Sequence, residues 1–132
     1  MRKIPKSYYF FLRSTLKLIT STPFWTLSTV GNLTVFTFAG IFYYVEAEAN
    51  PLVDEYMDCL WWAFATVTTV GYGDITPLTT LGRIVGISLM LIGTALFASY
   101  VAMFADAFMK AETDFRNSQK ATKPESLANK VD

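Results

Sequence analysis

Two long apolar stretches stand out in the pattern of hydrophobic and polar positions along the 132-residue chain. The first, residues 24–45, would rise about 33 Å as a helix, slightly more than the hydrocarbon core of a bilayer, which is about 30 Å thick. Ser21 and Pro23 precede it as a hydroxyl cap and a first-turn proline. The second stretch covers residues 84–108. We therefore predict two membrane-spanning helices, an outer helix over 23–46 and an inner helix over 82–110.

The segment between the two spans follows a different pattern. Residues 54–68 are apolar enough for a helix, but the segment is too short to cross a bilayer and contains Asp58. A short apolar helix next to a membrane span is typical of a re-entrant segment. Glycine and proline punctuate residues 71–80, which indicates a loop.

The two ends of the chain are more polar than the spans. Residues 1–22 are aromatic and basic, and we interpret them as a helix lying in the membrane interface, with a cleaved signal peptide as the alternative. Residues 111–132 have no core-forming pattern and are predicted to be a polar cytoplasmic tail, disordered or truncated. Asn32 within the outer helix contacts a neighbouring helix or is a tolerated isolated amide.

Charge and composition narrow the function. Basic residues precede the first span and acidic residues follow it, so both termini are predicted to be cytoplasmic in a multi-pass protein of the cell membrane. The formal net charge of zero gives no reason to expect a nucleic-acid partner. The chain has no histidine and a single cysteine, Cys59, which excludes most zinc sites and an intramolecular disulfide. We predict that it is not an enzyme.

The loop after the short helix has the sequence that a filter for dehydrated cations needs. Such a filter replaces the water shell of an ion with rings of backbone carbonyls that all point to one axis. Extended strands alternate their carbonyls, whereas residues with positive φ suppress the alternation, and glycine adopts that conformation at little cost. Gly71 and Gly73 meet this need, Val70 and Tyr72 then point outward, and the Thr69 hydroxyl is an innermost ligand.

A single chain supplies one carbonyl at each level, which cannot enclose an ion. Four copies around a central axis supply about eight oxygens per ion. Irregular backbone at membrane depth is tolerated only where it is buried in protein or lines water. The loop therefore predicts a homotetramer in the lipid bilayer.

Thr68-Thr69-Val70-Gly71-Tyr72-Gly73-Asp74 resembles the signature sequence of potassium channels, and the order of segments resembles the prokaryotic two-helix type. The resemblance implies an all-α membrane protein: two transmembrane helices, a re-entrant pore helix (54–68) and a filter (69–74), tetrameric around a central pore. It also implies a potassium-selective channel subunit that binds potassium ions at the filter. The ion sites would be formed by the carbonyls of Thr69, Val70, Gly71 and Tyr72.

The resemblance assigns further residues to the support of the filter. Thr68 and Asp74 flank it, and Trp61 and Trp62 match an aromatic pair whose indole N–H groups would reach Tyr72 and Asp74. Two interfacial tryptophans are the alternative reading. Some family members pair the aspartate with a glutamate behind the filter, but this chain has Ala65 at that position. We expect its filter stability and its inactivation to differ accordingly.

The inner helix carries the predicted gate. By resemblance Gly93 is a hinge, and close helix packing is the alternative explanation for such a glycine. Ala98, Ala102 and Asp106 recur every four residues and share a face, which the resemblance places on the inner pore wall. Four copies of Asp106 would form an acidic ring at the cytoplasmic mouth, unless it is an exposed carboxylate at a helix end. The acidic segment 46–58 is an outer counterpart of this ring or a solvated loop.

The stimulus is not encoded in a recognisable motif. The spans contain no regularly spaced arginines of a voltage sensor. Related channels often continue into a cytoplasmic ligand-binding domain, so a gating domain outside this chain is the predicted partner. A non-selective cation channel, a two-span anchor or assembly subunit, and an intramembrane enzyme using Asp58 or Asp106 are the rival readings.

Overall fold

The computed structural model describes residues 6–128, with side chains for 8–120, so the predictions for 1–5 and 129–132 lie outside the described residues. The described residues form four helices and no strand, which are α1 (Lys6–Ile19), α2 (Thr22–Glu46), α3 (Tyr56–Val67) and α4 (Thr80–Ala128). Two of them, α2 and α4, are long and apolar enough to cross a membrane. The predicted all-helical fold with two apolar spans is therefore confirmed.

The chain divides into two compact units. The first unit comprises residues 26–100 and contains most of α2, all of α3 and the first part of α4. The described part of the second unit comprises residues 6–25 and 101–128.

The core of the first unit is built where one face of α2 meets α3 and α4. Val35, Ala39 and Phe42 recur at helical spacing and are buried on α2. They pack with residues from the other two helices and from the connecting loop, namely Val53, Cys59, Trp62, Ala63, Val67 and Leu89. Many large apolar side chains point away from this core, including Leu33, Leu81 and Leu91. A bilayer or neighbouring copies would cover such surfaces in a membrane protein.

In the second unit, α1 packs against the distal part of α4. The ring of Phe11 lies 5.8 Å from that of Phe108, and the ring of Phe10 lies 6.2 Å from that of Phe115, both in edge-to-face geometry. Ala107 on α4 is buried in this unit. Tyr9, Leu16 and other apolar residues of α1 stay exposed, and its interfacial position in a membrane remains a prediction.

The predicted helix start before the outer span is present. The backbone N–H of Phe24 donates to the Ser21 hydroxyl at 3.4 Å, and α2 begins at Thr22. This geometry satisfies one of the free N–H groups of the first turn.

The tail differs from the sequence expectation, because α4 continues through it to Ala128 instead of giving way to disorder. Ion pairs one helical turn apart join Asp106 to Lys110 and Glu112 to Arg116. Each such pair stabilises an exposed helix by about 0.2–0.5 kcal/mol. The sequence from 94 to 123 contains no glycine or proline to end the helix. The polar composition of the tail does not prevent helix formation.

Candidate functional site: the loop after α3

Helix α3 begins with a reciprocal cap that positions it between the two long helices. The Asp58 carboxylate accepts bonds from the backbone N–H groups of Asp54 at 3.0 Å and Glu55 at 2.9 Å. Glu55 is the N-cap and completes a capping box with Asp58. This structural role accounts for Asp58, which the sequence had offered as a candidate catalytic group.

The end of α3 passes directly into the predicted filter. The N–H of Thr68 bonds to the Phe64 carbonyl at 3.0 Å, and the N–H of Thr69 bonds to the Thr66 carbonyl at 3.1 Å. The N–H of Gly71 reaches back to the Ala65 carbonyl at 3.0 Å. The first residues of the loop are thus fixed to the last turn of α3 by their N–H groups.

Left-handed dihedrals occur at every second residue of this loop. The φ angles are 60° at Thr69, 55° at Gly71 and 76° at Gly73, and among the described residues these are the positive values. The sequence argument required positive φ at both glycines. It did not anticipate Thr69, where a β-branched side chain pays a steric cost that a sequence pattern does not reveal. Successive residues of alternating handedness turn their N–H groups to one side.

The side chains of the loop are open in the single chain. Val70 is 55% exposed and Tyr72 is 66% exposed. The Tyr72 ring stacks on the Trp61 ring with centroids 5.3 Å apart and planes 9° from parallel. One face of Tyr72 therefore contacts α3, while the rest of the ring is available to another surface.

Asp74 is held behind the loop by two donors. The indole N–H of Trp61 donates to its Oδ2 at 2.9 Å, and the backbone N–H of Ile75 donates to its Oδ1 at 3.1 Å. The bond from Trp61 is the main cause that lowers the pKa of Asp74 below its ordinary value. The carboxylate form is the one that accepts this bond.

The two tryptophans have separate roles in the chain. Trp61 makes the contacts with Tyr72 and Asp74 described above, as the resemblance implied. Trp62 is buried and stacks on Phe42 of α2, with ring centroids 3.7 Å apart. Within this chain Trp62 joins α3 to the outer helix, and a contact of its indole with the filter stays a prediction.

Gly93 lies where α4 packs tightly against the end of α3. A Cβ atom added at Gly93 would stand 2.6 Å from Cγ2 of Val67 and 3.3 Å from its Cα. Cβ atoms essentially never come within 3.0 Å of a heavy atom to which they are not linked through the local chain. The geometry favours the packing explanation for this glycine, since the last residue of α3 occupies the space a side chain would need. A hinge role stays a prediction.

The residues predicted for the inner wall and mouth are all exposed, namely Ala98, Ala102 and Asp106. Asp106 forms an ion pair with Lys110 at 2.6 Å, and both side chains are more than half exposed. An exposed pair of this kind contributes little to stability.

Glu46 is the residue that sequence reasoning placed wrongly. Its position at the start of the acidic segment indicated a solvated loop or an outer ring of charge, but the side chain is fully buried. Its carboxylate accepts hydrogen bonds from Leu78 and Thr79, beyond the filter. One signal was available, because Glu46 directly follows the uncharged stretch 24–45, as the last residue of the outer helix, and precedes Asn50-Pro51, where the chain turns back.

Comparison with known proteins gives this geometry a context. A family model described as "Ion channel" matches residues 30–110, which include α3, the loop and the contact at Gly93. The chain belongs to this ion channel family. Members of the family are channels and not enzymes, in agreement with the sequence prediction.

Similar proteins include the "Voltage-gated potassium channel" of Aeropyrum pernix, 39% identical over 79 residues, which cover 59% of this chain and 27% of the relative. Human "Potassium voltage-gated channel subfamily KQT member 4" is 37% identical over 79 residues, 60% of this chain and 11% of the relative. Human "Voltage-gated potassium channel regulatory subunit KCNG1" is 35% identical over 85 residues, which cover 63% of this chain and 17% of the relative. The matched segment thus spans about a quarter or less of each relative.

One solved structure is similar over nearly its whole length. It is described as a "voltage-gated K+ channel pore domain in a closed state in lipid membranes", and it is 34% identical to this chain with a TM-score of 0.54. The match covers 64% of this chain and 93% of the solved one. The likeness therefore concerns a complete pore domain of that channel.

Proposed function

We propose that four copies of this chain assemble around a central axis in the cell membrane and conduct potassium ions selectively through residues 69–73. The observation that carries the proposal is the left-handed backbone at Thr69, Gly71 and Gly73, directly after a capped short helix. A loop with this alternation presents its carbonyls to one side, which is the requirement for a ring of oxygens around a dehydrated ion.

The ion sites are the carbonyls of Thr69, Val70, Gly71 and Tyr72, with the Thr69 hydroxyl at the inner end. Four chains give about eight oxygens per ion, enough to replace the water shell of potassium. The open surfaces of Val70 and Tyr72 support the assembly, because irregular backbone at membrane depth must be covered by protein or line water.

The electrostatics of α3 favour a cation beneath these sites. The helix ends at Val67, and the aligned peptide dipoles of a helix place about half a negative charge at its C-terminus. In the assembly, four such ends point at a water-filled cavity lined by Ala98 and Ala102. Asp106 completes the path as an acidic ring at the cytoplasmic mouth, and its pairing with Lys110 reduces its field.

Both termini lie on the cytoplasmic side in this arrangement, and the stimulus acts through a gating domain outside residues 1–132. A regulatory role in a mixed assembly is the second candidate, because one relative is named a regulatory subunit. That candidate predicts no ion flux from this chain alone.

Radioactive rubidium uptake into liposomes that contain only this purified chain tests the proposal, with barium and sodium as competitors. We expect uptake that barium blocks and sodium does not. A flux shared equally with sodium would indicate a non-selective cation channel, and a chain that forms no tetramers and no flux would contradict the proposal.

The filter itself is tested by Gly73→Ala. No atom of the same chain lies within 4 Å of a Cβ added there, so within the chain the substitution acts through φ, at about 1–2 kcal/mol per subunit. We expect tetramers that carry no potassium flux. Gly40→Ala is the matched control, since its Cβ would meet only Tyr56, at an ordinary 4.0 Å. Normal flux in Gly73→Ala would refute the role of the left-handed backbone.

A further inference from the structure

A cleft opens inside the second unit, where α1 and the start of α2 meet the distal part of α4. Its volume is about 530 Å³, and all of its lining residues belong to this unit. Ligand sites in proteins commonly enclose roughly 300–1,000 Å³, so the cleft has room for a small molecule or a lipid headgroup. Its apolar lining is provided by Leu18, Pro23, Met103 and Ala107.

The charged lining of the cleft comes from one face of each of two helices. Residues three or four positions apart share a helix face. Ser14 and Lys17 on α1 have this spacing. On α4, the same spacing relates Asp106, Lys110 and Asp114. The two faces therefore bring two basic and two acidic side chains to one cleft.

Only part of this charge is satisfied within the chain. Lys110 and Asp106 form an ion pair of 2.6 Å. Lys17 and Asp114 form no ion pair with any residue from 8 to 120, the range whose side chains the structure describes. Their charged groups line the same cleft without reaching each other. A positive group on α1 and a negative group on α4 are thus left for a ligand that carries both charges.

The basic side of the cleft suits a phosphate group. A lysine ammonium binds phosphate as a point charge. The hydroxyl of Ser14, one turn before Lys17 on the same face, can donate one further hydrogen bond. The negative partner of the ligand is therefore expected on α1.

The acidic side suits a primary ammonium, which has three N–H donors for the carboxylate of Asp114. A choline headgroup has the same charge but no N–H group, so it cannot form these bonds. Glycerol and inositol headgroups offer no cation at all, and their phosphates would be repelled by the acidic side of the cleft. The charges thus favour a ligand with one phosphate and one primary ammonium.

The position of the cleft points to the membrane as the source of these groups. Pro23 lines the cleft in the first turn of α2, which is one of the two apolar spans. Trp25, two residues further, is 61% exposed, and tryptophans are enriched at the level of lipid headgroups. In a bilayer the cleft is therefore at headgroup depth, where its apolar residues are available to the glycerol and the first acyl carbons.

We propose that this cleft binds a phospholipid whose headgroup carries both a phosphate and a primary ammonium, as in phosphatidylethanolamine. Lys17 and Ser14 hold the phosphate, and Asp114 holds the ammonium. A lipid bound in this way fastens α1 to the distal part of α4. The site requires that the chain lies in a membrane, but it does not require ion conduction.

Native mass spectrometry of the purified full chain in detergent tests the site, with dioleoyl lipids that differ only in their headgroups. We expect the wild type to bind phosphatidylethanolamine about tenfold more tightly than phosphatidylcholine, the factor for one hydrogen bond to a charged group. Asp114→Asn should lose this preference, because it removes the carboxylate that distinguishes the two ammonium groups. Lys17→Gln should weaken both lipids by a similar factor and keep the preference, since both lipids carry the phosphate.

Neighbouring residues outside the cleft lining serve as matched controls. Glu112→Gln removes an acid two positions before Asp114, and Arg13→Gln removes a base four positions before Lys17. Both control variants should bind the two lipids like the wild type. All four residues are exposed, so the substitutions should leave the fold intact.

The outcomes separate the alternatives. Equal wild-type affinity for the two lipids, tighter binding of phosphatidylglycerol, or a preference that survives in Asp114→Asn would overturn the proposal. Losses of the same size in the control variants would also overturn it, because they would indicate general surface electrostatics. Soluble phosphoethanolamine that binds as tightly as the lipid would overturn the assignment to a membrane lipid. Rubidium uptake tests the proposed function independently, because lipid binding is measured without ion flux.

Discussion

The contact between Gly93 and Val67 makes a sharp prediction about the inner helix. In Gly93→Ala the new methyl group would stand 2.6 Å from Cγ2 of Val67. Val67 cannot easily yield, because a β-branched side chain in a helix has one strongly preferred rotamer. Its backbone Cα, only 3.3 Å away, limits a shift of the helix as well. The two helices must therefore separate slightly.

The magnitude follows from two opposing effects. Overpacking of a buried contact costs about 1–3 kcal/mol per subunit. Alanine is favoured over glycine inside a helix by about 1 kcal/mol, which offsets part of this cost. In a Val67→Ala background the 2.6 Å collision with Cγ2 is removed, while the tighter-than-usual contacts of 3.2 Å with Cβ and 3.3 Å with Cα remain. The helix preference of alanine then offsets more of the cost, so the same substitution should be clearly less destabilising.

A double-mutant cycle measures how the effect of Gly93→Ala differs between the two backgrounds. The wild type, Gly93→Ala, Val67→Ala and the double variant are compared by thermal dissociation of the tetramer and by single-channel open probability. Gly86→Ala is a control on the same helix, because its Cβ would meet Trp62 at an ordinary 3.5 Å. We expect Gly93→Ala to lower stability and open probability in the wild-type background and to have a clearly smaller effect in the Val67→Ala background.

The hinge hypothesis predicts a different result. If Gly93 is needed for bending, alanine stiffens the helix whether or not Val67 is present. Equal impairment of opening in both backgrounds would refute the packing argument and restore the hinge.

Two further predictions concern single side chains near the ends of the proposed conduction path. In Trp61→Phe the lost indole bond should raise the pKa of Asp74 towards its ordinary value of 3.8. The lowered pKa of the wild type stabilises the fold above pH 3.8, and this stabilisation is lost as the pH falls further. The variant's tetramers should therefore dissociate at a higher pH than the wild type's during acid titration, and identical profiles would contradict this. Asp106→Asn should reduce conductance mainly at low ionic strength, where screening of the acidic ring is weak. Lys110→Gln should raise conductance, because it frees Asp106 from its ion pair. Currents that do not depend on salt in the wild type and in both variants would contradict the acidic ring.

The spans and the short helix were predictable because their signals are local. Absence of charge from 24 to 45 and a hydroxyl next to Pro23 identify an apolar helix and its start without knowledge of tertiary contacts. The structure shifts the ends of α2 and α3 by only one or two residues, as in α3, which begins at Tyr56, whereas α4 continues well beyond the predicted end at residue 110. The positive φ angles at Gly71 and Gly73 were predictable for the same reason, because glycine indicates backbone conformation directly.

The remaining features depend on contacts between distant residues. Glu46 resembles any acidic residue after a helix until Leu78 and Thr79 are brought beside it. The role of Gly93 depends on the position of Val67, which periodicity along one helix does not contain. Trp62 likewise meets Phe42 only in the folded unit.

Thr69 connects permeation to the stability of the fold. A threonine at φ 60° is held in a conformation that costs an isolated chain roughly 1–3 kcal/mol. If its oxygens bind potassium as proposed, the permeating ion is also a ligand that only the folded assembly recognises, and mass action makes resistance to unfolding increase with its concentration. The substrate of transport would then serve as a structural component that is continually exchanged, and a cell's salt balance would help to determine the lifetime of the protein.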